Sequence, residues 1–212
     1  KNDKLKQEIS ALKQQTESLY NQLLSKQNEA ILQSTNNNIE TKEDIKQNDG
    51  NIDPKIYVTT GLHVMKGGIV KHYNIPTAYT TTTVHYSKDW IGSITVEHEN
   101  ITKFDADDIN SIETLCNNKI ADNSEVIIHE NLDRKDAEQQ FGNDIYDKFI
   151  VPDHVKVINV LEIKNWNVNC SKMKQLSKTG ELISLKIISK KSKFKKSKNA
   201  LTVYFQVGNG KL

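Results

Sequence analysis

The stretch NWNVNCSKMKQLSKTGELISLKIISK, Asn165 to Lys190, decides how the C-terminal part of the chain folds. Its cysteine, Cys170, is expected in a loop after an apolar strand, Val155 to Ile163. A Thr179-Gly180-Glu181 turn follows, then the β-patterned run Leu182 to Ile188. A basic segment, Ser189 to Asn199, joins that run to a last strand, Ala200 to Val207. Upstream, Glu125 to His129 reads as a short strand, Ile91 to His98 alternates like one, and the threonines of Tyr79 to Val84 favour β by branching. Helices are expected at Gly61 to His72, with Leu62, Met65, Ile69 and Val70 at helical spacing, and at Asp133 to Phe141, closed by Gly142. The clearest helix is Asp105 to Asn117. It has acidic residues in its first turn and Ile109, Ile112, Leu115 and Cys116 on one face, which makes Cys116 a core residue. Gly67-Gly68 costs helix propensity, so something is expected to pack closely there. Helices and strands alternate without a regular βαβ period, which predicts an α+β fold with a largely antiparallel sheet.

Residues 55–212 form this predicted globular domain. Residues 1–33 carry Leu5, Ile9, Leu12, Leu19 and Leu23 at alternating steps of four and three, with Thr16 in the gap. That is a heptad seam, and it predicts a coiled-coil helix that pairs with a second copy or another protein; a polar arm is the alternative. Residues 34–54, STNNNIETKEDIKQNDGNIDP, hold too little apolar surface to offset ordering entropy and read as a flexible linker.

The 212 residues are 36% hydrophobic and 26% charged, enough for a core in one medium domain plus an appendage. No apolar run is long enough to span a membrane, and no signal-peptide pattern opens the chain. The two cysteines, Cys116 and Cys170, form no disulfide framework. An intracellular location is expected, the cytoplasm ahead of an organelle. There is no Walker A loop, no G-x-G-x-x-G and no Ser/His/Asp grouping. The net charge is only +2, yet Lys186, Lys190, Lys191, Lys193, Lys195, Lys196 and Lys198 crowd together. Such clustering points to phosphates of RNA, against the plainer alternative of a solvated hairpin. Phe194 and Tyr204 nearby either stack or pack, and Trp90 and Trp166 read as core or rim.

From about Thr59 to Gln206 the chain resembles the AlaX family, free-standing relatives of the editing domain of alanyl-tRNA synthetase. The matching pieces include GLHVMKGGIVK at Gly61 to Lys71, DAEQQFGNDIYDKFIVPDHVKVINV at Asp136 to Val160, NWNVNC at Asn165 to Cys170 and KTGELISLKI at Lys178 to Ile187. The resemblance implies an editing-domain fold and hydrolysis of mischarged aminoacyl-tRNA. It also implies a zinc ion held by a His-x-x-x-His pair and a Cys-x-x-x-His pair. His63 matches one histidine of the first pair, and Thr59 stands in place of the other. Cys170 matches in the second pair, and Lys174 stands where the last histidine belongs. Because the loop to Gly180 is one residue longer, Gln175 is the alternative occupant. Neither Lys nor Gln is a normal zinc ligand, so zinc is expected only if the family site is intact and no cofactor is expected here. The resemblance further implies substrate contacts at Thr80, where the family discriminates serine from alanine, and at the Thr179-Gly180-Glu181 turn.

The expected function is a tRNA-associated protein that binds the acceptor end, with weak or lost deacylase activity. One alternative is a non-catalytic subunit docked by its coiled coil into a synthetase complex or ribonucleoprotein. The other is an active trans-editing deacylase. The expected partners are tRNA or other RNA and a coiled-coil protein, with no membrane.

Overall fold

The computed structural model describes residues 53–76, 80–83, 90–147 and 151–208, with the backbone alone at 80–83. The chain divides after Asn51, and everything described belongs to the unit Ile52–Leu212. The expected coiled coil lies outside the described residues, as does all but the end of the expected linker.

Helix α1, Pro54–Tyr73, runs through the middle of the fold. Asp53 caps it, its carboxylate accepting from Lys55 N–H at 2.9 Å, with Pro54 in the first turn where a missing N–H costs nothing. It therefore starts seven residues before the expected Gly61. Twelve consecutive residues, Val58 to Ile69, are buried, so the helix is enclosed on every side. The close approach expected at the glycine pair is present. A Cβ on Gly67 would strike the Trp166 indole, and one on Gly68 would strike the Cys116 sulfur.

The other α-helices among the described residues are α2, Ala106–Ala121, and α3, Arg134–Phe141. Asp105 and Asp108 close a capping box at the start of α2, and Cys116 on its inner face is fully buried. The strands are β1 Thr80–Thr83, β2 Ile91–Glu97, β3 Val126–Asp133, β4 Val157–Ile163, β5 Asn167–Cys170, β6 Leu185–Ile187, β7 Lys193–Lys195 and β8 Ala200–Val207. All pairings are antiparallel. They build a five-stranded sheet, β1-β2-β8-β6 with β7 also on β8, and a three-stranded sheet, β3-β4-β5. The architecture is thus α+β with antiparallel sheets. Among the described residues no helix is long and apolar enough to cross a membrane.

Strand alternation sets the core. On β8, Leu201, Val203, Phe205 and Val207 are fully buried, on the order of 10 kcal/mol of gross hydrophobic burial at about 1.5–3 kcal/mol per side chain. On β4, Leu161 and Ile163 join the main core around α1, whereas Ile158 and Val160 join a second cluster with Ala137, Ile145 and Tyr146. The three-stranded sheet therefore has two covered faces.

Three local expectations change. Cys170 ends a strand rather than sitting in a loop, so the alternation of β5 fixes the direction of its side chain. The expected strand Leu182 to Ile188 is broken. A 3-10 turn, Thr179–Leu182, precedes a three-residue strand, because Ile183 and Ser184 form a tight turn between them. The basic segment contains its own strand, β7, on the same edge of β8 as β6.

Candidate functional site

The residues expected at a metal position can be built up from α1. Thr59 gives its hydroxyl to the Lys55 carbonyl at 2.6 Å, an intrahelical bond. His63, one turn on, is buried, and its Nδ1 accepts from the Asn167 side-chain amide at 3.2 Å, which leaves the ring proton on Nε2. Burial first, and the nearby Lys66 charge second, lower its pKa to about 3, with Asp147 opposing. His63 is thus a neutral imidazole. The Asn167 Oδ1 is buried and makes no hydrogen bond among the described residues.

Lys66 is completely buried. Its ammonium pairs with the Asp147 carboxylate and donates to Asn169 Oδ1 at 3.0 Å, while Asn169 Nδ2 donates to the Ile145 carbonyl at 2.8 Å. Burial pulls the Lys66 pKa down and Asp147 pulls it back.

Asn167 and Asn169 therefore face α1, and alternation sends Val168 and Cys170 to the opposite face of β5. Cys170 packs there against the cluster formed by Ala137, Ile145, Tyr146, Ile158 and Val160. Burial raises its pKa, so the sulfur is held as a thiol. Lys174 is exposed, and Gln175 is the residue that turns inward. Gln175 Oε1 lies 3.0 Å from the Thr60 hydroxyl, which also accepts from Leu176 N–H at 2.9 Å. Thr59, His63, Cys170 and Gln175 thus do not converge, and two of the four are not zinc donors. Among the described residues no group of three or more His, Cys, Asp or Glu side chains could hold a metal ion. The donor set does not fit zinc.

The Thr-Gly-Glu turn is a structural knot. Thr179 is fully buried, donating to the Lys119 carbonyl at 2.8 Å and accepting from Ser124 N–H at 2.9 Å. Glu181 Oε1 accepts from Ser177 N–H, Ser177 hydroxyl and Lys178 N–H, closing its own turn. Gly180 has no room for a side chain because Asn123 lies against it. Ile183, at φ 67°, centres a γ-turn in which Ser184 N–H reaches the Leu182 carbonyl at 2.8 Å, and its side chain is 61% exposed. A cavity of about 400 Å³ opens between Gly180, Ile183 and the end of α2. Thr80 opens β1 opposite Val96.

The seven lysines form the third feature. Lys186, Lys190, Lys191, Lys193, Lys195, Lys196 and Lys198 are all exposed. Among the described residues none of them is in an ion pair. Register puts Lys186 opposite Gln206, Lys193 opposite Thr202 and Lys195 opposite Ala200, so these three share the face of the sheet turned away from the main core. Phe194, opposite Leu201, packs inward.

The chain is similar to alanine–tRNA ligase. Over 129 residues it is 30% identical to the enzyme of Thermococcus kodakarensis, a match that takes in 61% of this chain and 13% of the ligase. The chain therefore corresponds to a small part of that relative. No family model matches the sequence.

One part of the site is not evident from sequence. The Lys66–Asp147–Asn169 group joins residues far apart in the chain, and a lysine in a helix reads as solvent-facing. The signal that could have pointed to it is the position of Lys66 one residue before the glycine pair and one after Met65, inside a stretch with no exposed face.

Proposed function

We propose that the unit Ile52–Leu212 is an AlaX-like tRNA-binding module that engages the acceptor end of tRNA and has weak or lost deacylase activity. The observation that carries this reading is the set of seven exposed lysines without carboxylate partners along one sheet edge. Unpaired ammonium groups on a chain of near-balanced charge are suited to phosphate, because binding releases counterions without first breaking an ion pair. The similarity to alanine–tRNA ligase supports tRNA as the nucleic acid. The misfit of Thr59 and Gln175 to zinc, and the turning away of Cys170, support loss of the family's metal-dependent hydrolysis.

The test is tRNA binding by fluorescence anisotropy between 50 and 200 mM salt. A slope of log affinity against log salt of roughly −0.7 to −0.9 per phosphate contacted is expected. Changing Lys190, Lys191, Lys193 and Lys195 together to Ala should make that slope shallower by about three units. A docking subunit that uses the fold only as a surface would show no salt-dependent affinity for free tRNA, and that outcome would overturn the proposal. Deacylation of mischarged tRNA(Ala) measures what hydrolysis remains.

A further inference from the structure

A cavity of about 440 Å³ lies between the start of α2 and the β6–β7 turn. Its apolar wall is Phe104, Ile109 and Phe194, and Ser189 and Asn110 stand on its rim. We infer that this cavity receives an unpaired nucleobase of the bound RNA, with a neighbouring phosphate held by Lys190 and Lys191. The inference rests on the RNA-binding reading above and names the part of the RNA that is recognised.

Three observations carry it. First, the cavity adjoins one part of the lysine cluster, the turn that carries Lys190 and Lys191. Phe194 sits between Lys193 and Lys195, and alternation turns its ring to the cavity side while those two ammonium groups stay on the other face. Lys190 and Lys191 lie between Ser189 and Ser192, both of which line the cavity. Apolar walls beside the unpaired Lys190 and Lys191 complement a base and its phosphate, and stacking on aromatic rings tolerates any base. Second, the other polar side chains that line the cavity are already committed. The Asp105 carboxylate caps α2 and pairs with Lys103, and Ser192 Oγ donates to the Ile188 carbonyl and accepts from Tyr204 N–H. Third, the side chains of Ser189 and Asn110 make no hydrogen bonds among the described residues, which leaves them for a base edge. A base within a duplex is stacked on both faces and cannot enter, so the inference is specific to unpaired nucleotides.

The experiment compares two labelled RNA stems of equal length, one blunt and one with a four-nucleotide 3′ overhang, by anisotropy at several salt concentrations. The overhang is expected to bind about tenfold tighter or more. Phe104→Ala removes one wall, and Ser189→Leu fills the cavity from an exposed position without touching the core. Both should abolish the preference for the overhang and leave the salt slope unchanged, whereas Lys190→Ala with Lys191→Ala should weaken both RNAs and flatten the slope. Equal binding of the two stems, or a preference that survives Ser189→Leu in a protein of unchanged melting temperature, overturns the base cavity and leaves RNA binding standing. Absence of salt-dependent binding to either stem overturns both.

Discussion

The ammonium of Lys66, buried completely inside α1, is held by the carboxylate of Asp147, 81 positions further along the chain. A buried pair is weak evidence of net stabilisation, because two desolvations oppose one attraction, yet breaking it from one side is costly. Asp147→Ala would strand the charge of Lys66 and should destabilise the protein by about 3–5 kcal/mol in urea titration. Lys66→Met removes the buried charge and leaves a carboxylate that is 19% exposed and can hydrate, so it should cost clearly less. An equal or larger cost for Lys66→Met would mean that the pair is a net source of stability.

His63 should make the protein acid-sensitive. In the fold its pKa is about 3, against 6.5 for the free side chain. Below pH 6.5 the unfolded chain binds a proton that the folded chain refuses, so stability falls with falling pH by ~1.4 kcal/mol per unit at the limit. Between pH 6.5 and 4.5 this group alone should remove on the order of 2 kcal/mol, and His63→Gln should flatten that part of the urea-midpoint profile. Parallel profiles for the two proteins would show that His63 takes up its proton in the folded state.

Much of the fold is legible in the sequence, for reasons that differ along the chain. β8 alternates strictly and faces one core, so its bounds, Ala200–Val207, are those expected. α2 advertises itself through its acidic first turn and its capping aspartate. β5 is hidden because its inward positions are Asn167 and Asn169, whose partners Lys66 and His63 come from a helix about a hundred residues earlier. No local pattern marks a polar strand face as buried, and so the direction of Cys170 could not be read. The γ-turn at Ile183 was missed for a similar reason. A β-branched residue is a poor fit to positive φ, and tertiary structure overrides that preference here.

That turn yields a stability prediction. Ile183 holds φ 67° with a side chain 61% exposed, so it loses little contact on truncation and bears the strain of a left-handed backbone. Ile183→Gly should stabilise the protein by on the order of 1 kcal/mol, relief of strain exceeding the extra entropy of the unfolded chain. A lower urea midpoint for the glycine variant would show that the exposed side chain makes contacts worth more than the strain.

The last prediction concerns what holds the segment 171–176 against α1. Thr60 Oγ1 accepts from Leu176 N–H and lies 3.0 Å from Gln175 Oε1, and Gln175 Nε2 donates back to the Met173 carbonyl at 3.3 Å. The two contacts of Thr60 tie the loop to the helix within one turn of His63. Stability should therefore depend on Thr60 and be indifferent to chelators. Thr60→Val keeps the shape but leaves the Leu176 N–H unpaired in a buried place, and should cost about 1–3 kcal/mol. Incubation with a chelator should leave the melting temperature of the unaltered protein where it was, and Cys170→Ala should leave metal content unchanged. One zinc per chain by elemental analysis, lost together with stability on chelation, would mean that the loop rearranges to bring Cys170 to the side of β5 that His63 occupies.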